Sequence, residues 1–248
     1  MFFWFKRKKI VLDCFTYDSI VYDRHKIQKA VYSLPDWFKN LDINIPGNMK
    51  YCEGFKQYFK NAISLNMWCT LDFHIDSKNK KWEWNAAMPL RAHGEHKPKQ
   101  YGSFLPPDNY DHFKIGTPWF FKTSRHVKFA WVDSFWCRNT MAYFFPNAIV
   151  DYFYQHTTDV NMFFSYGDKP YSFTIQAGQP MIFLIPLTEE KVEIRNHLVS
   201  VQEIERYAPV DVGVSSAFNR YQIRKKHTDK LLSQQKKCPF GFGNKDEI

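Results

Sequence analysis

Between Pro146 and Pro186 the chain carries four short β-rich runs, each closed by a turn signal, and this stretch limits the fold more than any other. Ala148-Ile149-Val150 ends on Asp151, and Asp159-Val160-Asn161-Met162-Phe163-Phe164 follows. Tyr166-Gly167-Asp168-Lys169-Pro170 turns into Tyr171-Ser172-Phe173-Thr174-Ile175, and a turn at Gly178 precedes Met181-Ile182-Phe183-Leu184-Ile185. Runs this short, rich in β-branched and aromatic residues and punctuated by Gly, Pro, Asp or Asn, are strands rather than helices. They read as two hairpin-like units in the core of a mainly β (α+β) fold. The expectation is an antiparallel β-sandwich or β-clip-like barrel, with a few short helices near the N-terminus and one near the C-terminus.

The rest of the chain supplies enough apolar material for such a core. Of 248 residues, 44% are hydrophobic and 19% aromatic, which excludes a disordered polymer and suits pleated, half-buried strand faces. Ile10-Val11-Leu12 reads as a buried strand. Ile27, Ala30, Val31 and Leu34 fall at helical spacing from Lys26 to Leu34, where Pro35 stops them, and Pro35-Asp36-Trp37-Phe38 opens a short turn-helix. Phe55, Tyr58, Phe59, Ala62 and Ile63 share one helix face. Leu65, Met67, Cys69, Leu71, Phe73 and Ile75 then alternate with polar residues and Trp68, predicting one long half-exposed strand to Asp76. Ser77-Lys78-Asn79-Lys80 turns it into Lys81-Trp82-Glu83-Trp84, with Trp68, Trp82 and Trp84 available for cross-strand contacts. Met88 to Asp111 lacks periodicity and reads as a long loop. Strands are expected at Phe113-Lys114-Ile115, Trp119-Phe120-Phe121, Val127 to Val132 and around Val192 and Ile194, with a short helix from Val199 to Tyr207. Residues 1–50 are read as an N-terminal strand and helix segment packed on the core, 51–207 as the β domain and 208–248 as a basic C-terminal arm.

Cys14, Cys52, Cys69, Cys137 and Cys238 are odd in number and never form a C-x-x-C pair, so neither a disulfide framework nor a zinc site is signalled and a reducing compartment fits. Met1-Phe2-Phe3-Trp4-Phe5 before Lys6-Arg7-Lys8-Lys9 has the wrong order for a signal peptide and is too short for a membrane span. The formal charge of +9 favours acidic partners, and its excess sits in the arm. Between Arg220 and Lys237 seven Lys or Arg face one acid, Asp229.

Few constellations carry chemistry. Nucleophile-elbow, Walker and Rossmann motifs are absent from the sequence. His74-Ile75-Asp76 has the spacing of half a facial metal triad, but it sits on the polar side of a strand. His93-Gly94-Glu95-His96 lacks the helix that would align two imidazoles. No metal site is expected. Asp151 stands apart, because a carboxylate at a strand end followed by Tyr152, Phe153 and Tyr154 can orient water or hold a sugar hydroxyl.

Ala148-Ile149-Val150-Asp151-Tyr152-Phe153-Tyr154, followed by Ile175-Gln176-Ala177-Gly178-Gln179-Pro180-Met181-Ile182-Phe183-Leu184-Ile185, resembles paired motifs of the dUTPase and dCTP deaminase β-clip superfamily. That likeness implies a deoxynucleotide-processing enzyme using Mg²⁺, often trimeric, with Asp151 orienting water and Tyr152 or Tyr154 stacking on the base. The match departs at Ala148, Phe153, Gln155-His156 and Phe183, where the superfamily has Gly, Asp, Arg-Gly and Gln. A wider resemblance rests on Val11-Leu12-Asp13-Cys14-Phe15-Thr16, Pro35-Asp36-Trp37-Phe38-Lys39-Asn40-Leu41, Phe113 to Lys122 and the Gly178 segment. There the chain resembles a protein family common in tailed phages of marine bacteria. It implies a protein made in the bacterial host cytoplasm and carried into the virion.

The leading expectation is a non-enzymatic phage β-sandwich protein, needing no cofactor, that binds other phage or host subunits and forms a homo-oligomer. Its arm would supply Arg220, Arg224, Lys225, Lys226, Lys230, Lys236 and Lys237 to an acidic protein surface or to nucleic acid. Phe240 and Phe242, beyond that basic spacer, would dock on the body or on a neighbouring subunit. A membrane partner is not expected.

Overall fold

A computed structural model describes residues 9–90, 92–95, 101, 104–106, 109–207, 222, 225–226 and 229–230. They form a β-sandwich of three sheets. The first, in the order β14-β1-β7-β11-β9 with β6 beside β7, joins β1 (Ile10–Thr16), β6 (Ala92–Gly94), β7 (Tyr110–Thr123), β9 (Tyr143–Phe144), β11 (Thr157–Ser165) and β14 (Val192–Leu198). The second, β10-β8-β13-β3-β2, joins β2 (Gln28–Lys29), β3 (Ile63–Asn66), β8 (Lys128–Asp133), β10 (Ala148–Asp151) and β13 (Pro180–Pro186). The third, β12-β4-β5, joins β4 (Leu71–Asp76), β5 (Lys81–Ala86) and β12 (Tyr171–Ile175). None of these sheets closes on itself, so the barrel form of the expectation does not hold among the described residues. Pairing is antiparallel except between β1 and β14, which run parallel from Ile10↔Val192 to Thr16↔Leu198. β1 thus lies between β14 and β7, inside the first sheet.

The four runs around Asp151 are all strands, but no two of them pair. β10 lies on β8, β11 between β7 and β9, β12 on β4, and β13 between β3 and β8. The expected hairpins are crossings between sheets. The turn after β11 is captured on both sides: Tyr166 N–H donates to Asn109 O at 2.8 Å, and Ser77 Oγ donates to Lys169 O at 2.7 Å. Gly167 and Gly178, at φ +65° and +85°, supply the left-handed backbone these reversals need.

The long alternation from Leu65 to Asp76 is likewise divided. Leu65, Met67, Cys69, Leu71, Phe73 and Ile75 are all buried, so the period-two pattern of burial is real. The hydrogen-bonding partner changes midway, from β13 along β3 to β12 and β5 along β4. Met67 marks the switch, donating to Gln179 O at 2.8 Å and accepting from Gly178 N–H at 2.7 Å. Trp68 is buried there instead of joining Trp82 and Trp84, which pair with Ile75 and Phe73.

Two other readings change for stated reasons. Lys26 to Leu34 is β2 followed by a 3-10 turn, Ala30–Ser33, and not an α-helix. Tertiary bonds override the spacing: Ile27 N–H donates to Asn196 Oδ1 at 3.0 Å, and Ala30 N–H donates to Ala62 O at 2.9 Å. The segments around Ile115 and Phe120 form one continuous strand, whose Tyr110–Asp111 start also trims the expected loop. Pro118 is tolerated inside it because the ladder to β11 shifts register between Thr157↔Phe120 and Asp159↔Gly116, so its missing N–H falls at an irregularity.

The core between the sheets is ring-rich. Phe73 stacks on Phe173 at 4.9 Å and meets Phe113 edge-on at 5.2 Å, tying the third sheet to the first. Outside the second sheet, α3 (Glu53–Asn61) lays Phe55 and Phe59 on Phe183, as its apolar face predicts. Outside the first, α4 (Val201–Tyr207) sets Ile204 against Phe15 and Phe120. β13 is therefore covered on both faces, which explains its unbroken apolar sequence. Each such ring contributes about 1.5–3 kcal/mol by leaving water.

Candidate functional sites at the two ends of strand β8

At the start of β8, Asp151 pairs with Lys128 and its carboxylate is almost fully buried. Oδ1 accepts the Phe153 N–H at 3.0 Å, and Oδ2 lies 3.3 Å from His126 Nδ1. The other ring nitrogen, Nε2, is 2.5 Å from the Tyr154 hydroxyl, which also reaches Asp229 Oδ1 at 3.3 Å. The turn is fixed by Tyr154 and Gln155 N–H groups donating to Asp151 O at 3.1 and 2.9 Å. The result is a chain of carboxylate, imidazole, phenol and carboxylate beside a cavity of about 320 Å³, which Arg125, His126, Asp151 and Glu190 help to line. Arg125 pairs with Glu190 there.

Tyr152 points the other way, into the core. It is wholly buried between Phe121 and Phe129, at 4.8 and 5.4 Å, and its oxygen accepts from Trp131 Nε1 at 3.1 Å and meets Thr158 Oγ1 at 3.2 Å. Burial pushes its phenol well above the ordinary range. Tyr154 is buried as well, packed on His126 at 4.6 Å and Phe153 at 5.1 Å. Neither ring has an open face for a nucleobase, so the stacking role drawn from the resemblance is not available to Tyr152 or Tyr154. The reason is local: the turn after Asp151 aims both rings inward, while His126 covers Asp151.

Of the arm, Lys225, Lys226 and Lys230 are described, helical and exposed, in the same short segment as Asp229. Arg220, Arg224, Lys236, Lys237, Phe240 and Phe242 lie outside the described residues. Among the described residues no three His, Cys, Asp or Glu gather as metal ligands. His74 Nδ1 meets Ser172 Oγ at 2.9 Å, and Asp76 caps its turn by accepting from Asn79 N at 3.1 Å and Nδ2 at 2.7 Å. No helix of the described residues is long and apolar enough to cross a membrane.

At the far end of β8 the chain enters a 3-10 turn, Phe135–Cys137, that forms one wall of a larger groove of about 740 Å³. Residues between α1 (Ser19–Arg24) and α2 (Asp36–Lys39) also line it, together with Asn66 and Gln179. Tyr32, Trp37 and Trp136 also line it and are 73%, 41% and 39% exposed. The two indoles are nevertheless fixed. Trp37 Nε1 donates to Trp136 O at 2.9 Å, and both rings pack on Phe55, at 5.7 and 5.5 Å. The turn carrying Trp136 is pinned from beneath by Arg138, whose guanidinium is 3.4 Å from Asp133, donates to Tyr143 O and lies over the Phe135 and Tyr143 rings. Burial pushes the Asp133 carboxyl up despite Arg138, and pushes the Cys137 thiol up to about 12. The sequence carries little sign of this groove. Its only local signal was Trp37 beside Pro35-Asp36, because Tyr32 and Trp136 are brought together by the fold.

No protein-family model, curated protein or solved structure matches the chain.

Proposed function

We propose that this is a phage-encoded, non-enzymatic interaction protein whose basic C-terminal arm binds an acidic surface on another virion or host protein. The observation that carries this reading is the Tyr154–Asp229 contact, which ties Asp229, a near neighbour in sequence of the exposed Lys225 and Lys226, to the Lys128 end of β8. A cationic patch held on a folded body steers and registers an acidic partner better than a free tail does. The wider sequence resemblance supports the phage setting, synthesis in the host cytoplasm and carriage into the particle. Ending the chain after Ala217 tests it. Sedimentation of the full and shortened proteins with purified particles should show the short form lost from the particle fraction while its thermal transition persists. Equal sedimentation of both would overturn the proposal.

The deoxynucleotide-processing alternative is favoured by one observation, the Asp151–His126 pair at the cavity beside β8. Its assay is turnover of each deoxynucleoside triphosphate with Mg²⁺. Loss of that turnover in Asp151→Ala would support it, and no turnover would end it.

A further inference from the structure

We infer that the groove beside Trp37 and Trp136 binds a phosphate-bearing nucleobase, as a free nucleotide or within a single strand of nucleic acid. Its lining shares no described residue with the Asp151 cluster or the basic arm. Three observations carry it.

The first is the rings. Large aromatic side chains gain most when buried, yet Tyr32, Trp37 and Trp136 all open into one groove. The indoles are not loose surface groups, since the Trp37–Trp136 hydrogen bond and the Phe55 contacts already hold them. A platform fixed in advance loses little side-chain entropy when a flat ligand stacks on it. Sequence-tolerant recognition of bases uses such platforms.

The second is charge. Arg24, Lys26, Lys39 and Arg138 line the groove against Asp23 and Asp36. Arg138 is spent on Asp133, and Lys39 pairs with Asp36 at 2.9 Å. The exposed Arg24 and Lys26, the latter with its ammonium over the Tyr22 ring at 4.8 Å, then outnumber the exposed Asp23 beside them and can meet a phosphate. Burial, then the nearby Arg24, hold His25 below its ordinary value, so it is not counted among the groove's cations. A neutral sugar would stack on the rings but has no use for two cations, which decides for the charged ligand.

The third is size and hydrogen bonding. About 740 Å³ exceeds what one small anion needs. Gln179 is spent on Tyr143 Oη, to which its Nε2 donates at 2.8 Å, and on the Gln176 N–H, but Asn66, whose Oδ1 accepts from Ser64, lines the groove with its Nδ2 to donate to a base edge.

The test uses the full chain and a short fluorescein-labelled oligothymidylate, read by anisotropy, with dTMP and dAMP as competitors and maltohexaose as a neutral control. Tyr32→Ala and Trp136→Ala should each weaken binding by about tenfold, the loss expected for one stacked base. Arg24→Ala with Lys26→Ala should lower the slope of log affinity against log salt by about one for each phosphate contact removed. Trp136 packs on Phe55, so its loss can disturb the fold; Tyr32 is mostly exposed and keeps the test sound. Competition by the mononucleotides identifies a free nucleotide as ligand, and binding of the oligomer alone identifies a strand. Unchanged binding in Tyr32→Ala with loss on neutralising Lys225 and Lys226 would assign it to the arm and overturn the inference. No oligomer or nucleotide binding, or binding of maltohexaose alone, would overturn it too.

Discussion

The two ends of β8 use the same residue types to opposite purpose. At the Lys128 end, Asp151, His126, Tyr154 and Asp229 exchange contacts with one another, and the rings of Tyr152 and Tyr154 are buried. At the Asp133 end, an equally tight ion pair beneath the surface props up a turn whose rings stay open. A carboxylate among tyrosines is therefore no sign of a site until its partners are counted. What separates the two ends is whether the polar groups are spent on each other or on holding something else out toward a ligand.

The largest effect should separate two tyrosines, one from each end. Tyr152→Ala removes a fully buried ring and leaves the Trp131 N–H facing a void, and a stability loss of about 3–5 kcal/mol is expected from urea denaturation. Tyr32→Ala, at 73% exposure, should stay within about 0.5 kcal/mol. Similar losses for both would erase the contrast between a structural end and an open one.

A smaller loss is expected at Asp151. Asp151→Ala strands the Phe153 N–H and removes the partner of His126 Nδ1, which should cost about 1–3 kcal/mol in the same denaturation series. A variant of unchanged stability would show that the carboxylate is not structural, and would return weight to the enzyme reading.

These contrasts also show what a sequence can carry. The helix face of Phe55, Tyr58 and Phe59 was legible because its period depends on neighbours within one turn. The inward alternation from Leu65 to Ile75 was legible for the same reason, but the change of partner at Met67 was not, since it depends on Gly178 and Gln179 arriving from far along the chain. The runs flanking Gly167 looked like hairpins because nothing local says that Tyr166 will be held by Asn109. Asp151 was picked out from its neighbours Tyr152 and Tyr154, while His126, the partner that decides its role, lies a strand away. The groove failed to show for a related reason: Tyr32 and Trp136 share no motif, only a place.

Alkaline pH should probe the groove end. Below the ordinary thiol value of 9.0, folded and unfolded chains both hold the Cys137 proton; between 9.0 and about 12 only the folded chain does. The unfolded state then binds fewer protons, so stability falls as pH rises through that window, by about 1.4 kcal/mol per pH unit at most for this group. Tyr143, pushed up to about 12 by burial, adds to the slope from its ordinary value of 10.0 upward. Melting temperatures from pH 8 to 11 should decline, and Cys137→Val should flatten the decline. An unaltered slope in that variant would place the alkaline sensitivity elsewhere.

The smallest expected change is also the most local. Tyr154→Phe keeps the ring against His126 and Phe153 and deletes only the hydroxyl, which is the one described contact between Asp229 and the sandwich. Global stability should fall by about 1 kcal/mol, the net worth of such a bond. The arm should respond more sharply, because Lys225, Lys226, Asp229 and Lys230 are helical yet exposed, and a short helix without burial depends on its anchor. Lys225 and Lys226 are exposed and next to each other, so trypsin provides the readout: cleavage there should speed up several-fold in Tyr154→Phe, while cuts within the sandwich stay slow. Asp229→Asn should copy this result if the contact acts from either side. If cleavage at Lys225 and Lys226 is unchanged in both variants, the segment is held by something other than Tyr154, and the Lys128 end of β8 is an internal network with no part in carrying the arm.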